Sequence, residues 1–288
     1  MTLLPVFECR LKRHFLLEVR KEHSLHTPTE KRPTLTIGIL TLNEAHRIKA
    51  CLESAKFADQ LIVVDSGSSD GTAEIARHFG AETFSYPDWQ GFAVQRNRLL
   101  QHASGDYIFF LDADEIMGAD FQRELQAIVA SGEQAVWKIR WRMVAFGHEL
   151  KYLRSTSLVE RLFVRRNLLE FKGVVHEEAQ LDNPQTPRKE IHTPLLHHSR
   201  ETVHDSLQKL TQYAMLGAAK RAEKGKKGGV LRGIASGSSM FIRLYFLHLG
   251  VLCGGAGFLY CFFVALEAFF RYAALEYDTD HQTNLKRS

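Results

Sequence analysis

The feature that most constrains the fold is a run of five apolar residues that leads directly into three acids, in the segment 107–115, YIFFLDADE. An unbroken apolar run of this length is typical of a strand buried on both faces, as in a parallel sheet covered by helices. Asp112, Asp114 and Glu115 then fall at the carboxyl end of the strand, where open α/β sheets bind their ligands. Because Asp112 and Asp114 are two residues apart, a turn can direct both carboxylates at one point, as Mg²⁺ or Mn²⁺ bound to phosphate requires. An Asp-x-Asp pair alone is equally compatible with a solvated turn.

Two earlier strands are predicted, and polar residues follow each of them. The first covers 34–40 and is followed by Asn43, which can cap a helix over 44–55. The second covers 60–64 and ends in the loop 65–72, DSGSSDGT. Free backbone N–H groups, hydroxyls and a helix N-terminus make such a loop suitable for a nucleotide, although Asp70 could serve only as a helix cap.

The alternation of strands and helices over 34–115 predicts a Rossmann-like half with a parallel sheet. This half has no Gly-x-Gly-x-x-Gly and no Gly-x-x-x-x-Gly-Lys-Ser/Thr, which argues against a dinucleotide site and a P-loop. Beyond Glu115 we expect a helix at about 120–131, then strands at 135–144, 161–164 and 171–178 that add antiparallel pairs to the sheet. The predicted class is therefore α/β with a mixed sheet.

Four segments carry a resemblance to a known family: LTLNE at 40–44, VVDSGSSDGT at 63–72, QRN at 95–97 and FLDADE at 110–115. In this order and spacing they resemble family 2 glycosyltransferases of the GT-A fold, and the resemblance extends over about 34–272. It looks closest to the bacterial branch that adds glucose to the heptose of the lipopolysaccharide inner core. It implies a metal-dependent, inverting transfer of a hexose, glucose from UDP-glucose, to a lipopolysaccharide core heptose.

The resemblance also implies a role for each matched residue. Asp65 would bind the uracil side of the UDP-sugar, and Asp112 and Asp114 would act at the diphosphate and its metal ion, Mg²⁺ or Mn²⁺. The remaining donor-site residues would line the nucleotide or lie near the diphosphate or sugar: Thr41, Asn43, Glu44 and Arg96.

An inverting transfer also needs a base that deprotonates the acceptor hydroxyl. Our candidate is Glu177 in the segment 175–178, VHEE, and the resemblance supports it because this branch carries Val-His-Glu at the same place. His176 would orient Glu177 or contact phosphate or metal. Glu115 is the rival base, and Glu177 with Glu178 could also be only a solvated strand end.

Basic residues and histidines of the second half have a separate interpretation. Arginine forks suit the phosphates and acidic sugars of lipopolysaccharide, so we expect part of the following set to give the acceptor side a positive field: Arg140, Arg142, Arg161, Arg165 and Arg166. Three histidines have no carboxylates at ligand spacing and are interpreted as structural or surface residues: His192, His197 and His198.

Composition narrows the class further. A net charge of +4 and a pI near 8.8 do not indicate a nucleic-acid partner. The four cysteines form no Cys-x-x-Cys and no zinc-spaced cluster, which indicates reduced thiols of a cytosolic protein. The start of the chain lacks the pattern of a signal peptide, and 1–32 is predicted to be a basic extension to a GT-A domain at 33–235.

The C-terminal part predicts contact with a membrane. No charged residue occurs between Arg243 and Glu267, and this length would allow a span of about 20 residues. Because Gly250 and three further glycines interrupt the stretch, we favour a hairpin of two apolar helices at 236–275, followed by a polar tail at 276–288. The basic run before it would face anionic lipid. We therefore expect peripheral or monotopic attachment to the cytoplasmic face of the bacterial inner membrane.

Three alternatives remain at this stage. The same fold could use a polyprenyl phosphate, or a capsule or O-antigen intermediate, as its lipid-linked acceptor. The chain could instead be a sugar nucleotidyltransferase, although its first strand is followed by LNEA rather than a basic glycine-rich loop. It could also be a non-catalytic membrane adaptor. The sequence leaves the sugar, the linkage, the metal and the oligomeric state open.

Overall fold

A computed structural model describes residues 32–155, 157–173 and 177–278. Most of the predicted basic extension at 1–32, His176, and the polar tail from residue 279 on lie outside the described residues. Everything below concerns the unit 33–288.

The nucleotide-binding half forms as the alternation predicts. Its four parallel strands are β1 Leu35–Thr41, β2 Gln60–Asp65, β3 Glu82–Ser85 and β4 Tyr107–Asp112. They lie in the order β3-β2-β1-β4. Because β1 pairs in register with both β2 and β4, Thr41 lies opposite Asp65 and Leu40 opposite Asp112. The polar residues at these strand ends therefore meet at one edge of the sheet.

Strand β4 is buried on both faces, which confirms the prediction from its apolar run. Ile108 and Phe110 pack into one hydrophobic cluster, and Phe109 and Leu111 pack into the other. All four side chains are at most 2% exposed. Burying each contributes about 1.5–3 kcal/mol, so the strand that carries the acids is rigidly held.

The second half extends the sheet with mixed pairings. Its strands are β5 Glu115–Ile116, β6 Val136–Ala145, β7 His148–Glu149, β8 Leu158–Val164, β9 Leu168–Lys172, β10 Glu178–Leu181, β11 Arg188–Glu190 and β12 Leu195–Arg200. Strand β8 lies antiparallel between β4 and β6, and β12 runs parallel to β6 and antiparallel to β5.

One strand prediction here is wrong. The segment 171–178 is not one strand of the main sheet, because β9 and β10 pair only with each other in the described residues, as a separate antiparallel hairpin. Residues 174–176, between the two strands, lie outside the described residues. This arrangement places Glu177 immediately before β10, in a loop rather than within a strand.

Helices cover the sheet and form the C-terminal region. They are α1 Ile48–Ala55, α2 Thr72–His78, α3 Phe92–His102, α4 Ala119–Ala130, α5 Val203–Glu223, α6 Val230–Ile242 and α7 Gly254–Tyr277. Helix α1 begins four residues later than predicted, and Asn43 is not its cap: its φ is +55°. The reason is that hydroxyls of the neighbouring loop bind the backbone N–H groups of Asn43 and Glu44.

The C-terminal region is the predicted helical hairpin of α6 and α7. Gly233 and Gly237 allow close packing, since a Cβ at either would lie about 3 Å from a backbone carbonyl of α7. The predicted boundary at 235/236 falls inside α6, so the hairpin begins earlier than expected. Among the described residues, one helical stretch, Gly250–Tyr277, is long and apolar enough to cross a membrane by length and composition.

Candidate active site

The loop after β2 is organised around Asp65. This carboxylate is 2% exposed and accepts hydrogen bonds from the backbone N–H groups of Gly67 and Ser68, at 3.0 and 2.9 Å, and from the Ser68 hydroxyl. Gly67 has a φ of +97°, which a residue with a side chain adopts at a cost. Asp65 therefore fixes the shape of the loop from its inner side.

Residues at the end of β1 are tied to this loop. The Asn43 side chain accepts from the Ser69 N–H at 2.9 Å, and the Thr72 hydroxyl accepts from the Glu44 N–H at 2.8 Å. Thr41 lies buried beside them, and its hydroxyl has no hydrogen-bond partner in the described part of the chain. Three of the predicted donor residues, Thr41, Asn43 and Glu44, thus lie around one strand-end loop with Asp65.

The motif QRN at 95–97 links three segments of the site. Gln95 donates to the Ser66 hydroxyl at 2.9 Å, which joins α3 to the loop after β2. Asn97 exchanges two hydrogen bonds with the backbone of Phe171, at 3.0 and 2.7 Å, and so holds β9. Between them, Arg96 is buried against the rings of Phe110 and Phe171. Gln95 and Asn97 therefore make structural contacts on either side, and Arg96 between them is directed at the acids at the strand end.

Strand β4 ends in a buried charge network centred on Arg161 of β8. The Arg161 guanidinium forms a two-pronged ion pair with the Asp112 carboxylate and donates to Glu115 Oε1 at 3.0 Å and to the Phe110 carbonyl at 3.3 Å. Glu115 also accepts from the indole N–H of Trp141 and from the Asp112 N–H. Both Arg161 and Glu115 are at most 2% exposed.

The network shifts the pKa values of its acids in opposite directions. Loss of hydration would raise the pKa of Asp112, but the Arg161 and Arg96 charges outweigh it and hold that pKa below its usual range. Burial raises the pKa of Glu115, and Arg161 only partly offsets the effect. Because the Glu115 oxygens are enclosed and bound by three groups, Glu115 is poorly placed to reach an acceptor hydroxyl. It is better understood as a positioning residue than as a rival base.

Glu177 contacts the same network through Arg96. Its Oε1 is 3.3 Å from Arg96 Nη2, and the same Arg96 nitrogen is 4.0 Å from Asp112 Oδ1. The Glu177 side chain keeps 24% of its surface exposed, whereas that of Arg96 keeps 8%. The structure therefore brings together the side chains of Arg96, Asp112 and Glu177. Of the two carboxylates, Glu177 is the one that follows the hairpin strand β9.

Asp114 has a partner that the sequence analysis did not assign. His197 of β12 places Nε2 3.2 Å from Asp114 Oδ2, and the His198 N–H donates to the Asp114 carbonyl at 2.8 Å. Burial would lower the pKa of His197, but its hydrogen bond and attraction to Asp114 raise the pKa overall. The sequence analysis interpreted His197 as a structural or surface histidine and assigned it no partner, because Asp114 lies 83 residues earlier in the chain.

Asp114 and His197 are the residues that could hold a metal ion. A carboxylate oxygen and an imidazole nitrogen are suitable donors for a divalent cation, and Asp114 Oδ2 and His197 Nε2 lie 3.2 Å apart. Within those residues no cluster of three or more His, Cys, Asp or Glu side chains could hold an ion. Substrate phosphates and water would therefore complete the shell, as is usual for Mg²⁺. Asp112 is less available for this role because Arg161 already binds both its oxygens.

The arginines predicted on the acceptor side have partners within the fold. Apart from Arg161, the members of that set contact acids or polar groups of their own surroundings. Arg140 pairs with Glu190 and Arg142 with Glu149, whereas Arg165 donates to the Gly105 carbonyl. Each of these arginines lies on a strand or turn beside an acidic or polar group, and this contact offsets much of its positive charge.

The parallel strand order, the antiparallel extension and the acids at the strand ends are the arrangement expected of the GT-A fold. Residues 36–177 match the sequence model described as "Glycosyl transferase family 2". The chain therefore contains a family 2 glycosyltransferase domain in this range.

Relatives of known sequence agree with this class. The chain is 26% identical to the lipopolysaccharide core biosynthesis glycosyltransferase LpsC of Rhizobium meliloti over 257 residues, 83% of this chain and 93% of the relative. It is 30% identical to the prophage-derived glycosyltransferase SunS of Bacillus subtilis over 59% of this chain and 41% of that protein.

Solved structures also resemble the chain at lower coverage. A crystal structure of a fragment of S. aureus TarS with UDP-GlcNAc has a TM-score of 0.44 at 16% identity, with 60% of each chain covered. Glucosyl-3-phosphoglycerate synthase of Mycobacterium tuberculosis, with Mn²⁺ and UDP, has a TM-score of 0.36 at 25% identity, over 47% of this chain and 58% of that one.

Proposed function

We propose that this glycosyltransferase moves glucose from UDP-glucose to a heptose of the lipopolysaccharide core, with inversion at the anomeric carbon. The observation that carries the mechanism is the cluster of Arg96, Asp112 and Glu177 at the carboxyl edge of the sheet. The LpsC relative, aligned over most of both chains, supports the lipopolysaccharide acceptor. The resemblance of the strand-end motifs supports the nucleotide-sugar donor.

Donor binding falls to the loops after β1 and β2. In this proposal the Asp65 loop receives the uracil, with Thr41, Asn43 and Glu44 lining the nucleotide. The buried, unpartnered Thr41 hydroxyl is a group that a bound nucleotide can satisfy. Glu44 forms an ion pair with Arg47 that holds its carboxylate toward the loop.

In the transfer itself Glu177 accepts the proton of the acceptor hydroxyl as that oxygen bonds to the anomeric carbon. The bond from the anomeric carbon to the diphosphate breaks on the opposite face, and the nucleoside diphosphate leaves. Arg96 is 3.3 Å from Glu177 and 4.0 Å from Asp112, so its charge is placed to orient the base and to stabilise the departing phosphate. Arg161 keeps the Asp112 carboxylate ionised and holds it in place.

The metal ion, Mg²⁺ or Mn²⁺, is assigned to Asp114 with His197. When bound, it would neutralise charge that develops on the diphosphate. Metal ligation by Asp112 remains a prediction. Because the Asp112 carboxylate binds Arg161, we favour for it a role in holding Arg161 and Arg96 in place. The position of β12 explains why both Asp114 and His197 are rigid: β12 pairs with β5 directly beside the acids.

Asp114→Ala is expected to abolish the metal-dependent part of donor binding. We would titrate UDP-glucose, UDP-galactose and UDP-N-acetylglucosamine into purified protein by calorimetry, with Mn²⁺ and with EDTA. Wild-type protein should bind UDP-glucose more tightly with Mn²⁺, because an ion held by Asp114 and His197 would attract the negative charge of the diphosphate. The variant should bind equally in both conditions.

The matched control is Asp120→Ala, which removes an exposed acid from the first turn of α4 and should behave as wild type. If Asp114→Ala keeps the full response to Mn²⁺, the metal assignment is wrong. If no nucleotide binds to wild-type protein, the transferase proposal fails and an adaptor role becomes the better account.

The same proposal places the enzyme at the cytoplasmic face of the inner membrane through its C-terminal hairpin. The hairpin exposes large apolar side chains on both helices: Leu231, Ile234, Ile242, Phe258, Phe262 and Phe270, with exposures from 41% to 81%. A hairpin with an exposed apolar face and flanking basic residues fits the interfacial plane of a bilayer. Such an attachment would keep the catalytic edge within reach of a lipid-anchored acceptor.

A further inference from the structure

A basic cleft lies at the open end of the hairpin and involves none of the residues assigned to catalysis. It forms between the end of α5, the loop 224–229, the start of α6 and the last turns of α7, and encloses about 650 Å³. The side chains that line it include six cations and one aromatic ring: Lys220, Arg221, Lys224, Lys226, Lys227, Arg232 and Tyr272.

The loop of this cleft is fixed against α7. Gly229 donates its N–H to the Tyr272 carbonyl at 2.9 Å, and a Cβ at Gly228 would lie 2.6 Å from the Glu276 nitrogen. Gly225 and Gly229 have φ values of +62° and +127°, which let the chain turn back on itself there. The cleft is therefore part of the packed hairpin rather than a chance grouping of surface side chains.

Two arginines are already placed within the cleft. Arg221 lies over the Tyr272 ring, with its guanidinium carbon 5.1 Å from the ring centroid. Arg232 donates from Nη1 to the Gly228 carbonyl at 2.8 Å. Each of these contacts orients a guanidinium while leaving further N–H donors for an anion, because the group carries five.

The charge of the cleft is strongly one-sided. The segment 220–232 contains six basic residues and one acid, Glu223, and the Glu276 carboxylate lies beside Gly229. These two acids leave a large excess of positive charge. Guanidinium and ammonium groups converging on one cavity match the charge and hydrogen-bonding capacity of a phosphate.

The surroundings of the cleft are apolar, which separates two sources of phosphate. In sequence, Val230 and Leu231 lie directly before the lining residue Arg232 and Tyr277 ends α7, and the three side chains are 42%, 81% and 68% exposed. A soluble phosphate compound would not be stabilised by contact with these exposed apolar side chains. A lipid presents both features together, since its phosphate lies at the same depth as the first part of its acyl chains.

We propose that this cleft binds the phosphate of an anionic membrane lipid. This inference rests on the proposed membrane attachment and makes it specific: the apolar face of the hairpin lies in the interface, and the cleft fixes its orientation by holding a headgroup. The site is distinct from the donor diphosphate site at the carboxyl edge of the sheet.

The test measures binding of the full-length protein to vesicles of phosphatidylcholine alone and of phosphatidylcholine with phosphatidylglycerol. Wild-type protein is compared with the variant Lys224→Ala/Lys226→Ala/Arg232→Ala. The matched control is Lys49→Ala/Arg77→Ala/Arg123→Ala, which removes the same charge from exposed helix positions outside the cleft. UDP-glucose binding is measured for all three proteins.

Wild-type protein should bind the anionic vesicles more tightly than the neutral ones. The cleft variant should lose about tenfold or more of that affinity, because each basic residue near an anionic surface contributes substantially, whereas the control should change little. Equal losses in both variants would indicate only general charge and overturn the proposal. So would equal binding of wild type to neutral vesicles.

A second arm separates the lipid from a soluble phosphate. Glycerol 3-phosphate is titrated into the protein without vesicles, at constant ionic strength. Tight, cleft-dependent binding of this compound, without preference for anionic vesicles, would overturn the lipid assignment. Because UDP-glucose binding is measured in parallel, failure of the cleft proposal is distinguishable from failure of the proposed function: only the latter removes donor binding from wild-type protein.

Discussion

Glu177→Gln should lower the turnover of transfer by about 100-fold or more while leaving donor affinity unchanged. The substitution keeps the size of the side chain and removes its ability to accept a proton, and positioned general bases typically contribute about 10²–10⁴-fold. The donor loops after β1 and β2 do not contact Glu177 through any described hydrogen bond, so they should bind UDP-glucose as before. The loss should therefore appear in kcat rather than in the donor Kd.

The control for this variant is Glu178→Gln, at the neighbouring exposed position that begins β10. It makes the same chemical change one residue away and should retain near-normal turnover. Turnover is measured with heptose-terminated lipopolysaccharide and UDP-glucose, and donor affinity by calorimetry. Near-normal turnover of Glu177→Gln would dismiss the base assignment and favour an acceptor that is already a phosphate, such as polyprenyl phosphate, which needs no base.

Arg161→Met should destabilise the protein by about 3–5 kcal/mol, because it leaves two carboxylates, Asp112 and Glu115, without their buried partner. Arg161 is 2% exposed and holds both carboxylates with one guanidinium. Single domains are stable by about 5–15 kcal/mol in total, so this is a large share. Arg161→Lys should recover only part of the loss, since a single ammonium cannot form the two-pronged bond to Asp112 while also reaching Glu115.

Urea denaturation followed by tryptophan fluorescence measures this effect. The matched control is Arg166→Met, an exposed arginine that follows the same strand and contacts Gln134. Its substitution should change stability by no more than about 0.5 kcal/mol. If Arg161→Met is as stable as Arg166→Met, Arg161 does not hold the network together, and the rigidity attributed to the end of β4 lacks its cause.

The parts of the fold set by local pattern could be predicted from the sequence. The unbroken apolar run of β4 identified a strand buried on both faces, and the polar residues after β1, β2 and β4 were expected at one edge of the sheet. These predictions hold because parallel strands separated by helices must end at the same edge. The motif residues that follow these strands lie at that edge, as the alternation of strands and helices requires.

The assignments that the sequence analysis missed depend on contacts between segments that are distant in the chain. His197 was set aside because no carboxylate lies near it in sequence, yet β12 places it beside Asp114. Arg161 was interpreted as part of a positive field on the acceptor side, although β8 places it next to β4 and buries it. Neither strand order nor the partner of a charged side chain can be read from local periodicity. One signal was available for Arg161: it stands in a strand whose following residues are all apolar, LFV at 162–164.

The hairpin shows the same limit on a smaller scale. Gly250 lies in the connection and Gly254 begins α7 with a φ of +61°, as expected of glycines at a turn, whereas Gly255 and Gly257 lie within α7. Gly257 instead lets the chain approach itself, since a Cβ there would lie 2.3 Å from the Gly250 carbonyl oxygen. A glycine that serves packing looks the same in sequence as one that serves a turn.

The configuration of the new glycosidic bond tests the central claim most directly. Purified enzyme is incubated with UDP-glucose, Mn²⁺ and heptose-terminated lipopolysaccharide, and the anomeric signal of the added glucose is assigned by NMR. A single displacement with Glu177 as base converts the α-linked donor into a β-linked product, and that is the result we expect. An α-linked glucose would contradict the account, because it requires retention and therefore a mechanism that the arrangement of Arg96, Asp112 and Glu177 was not argued to support.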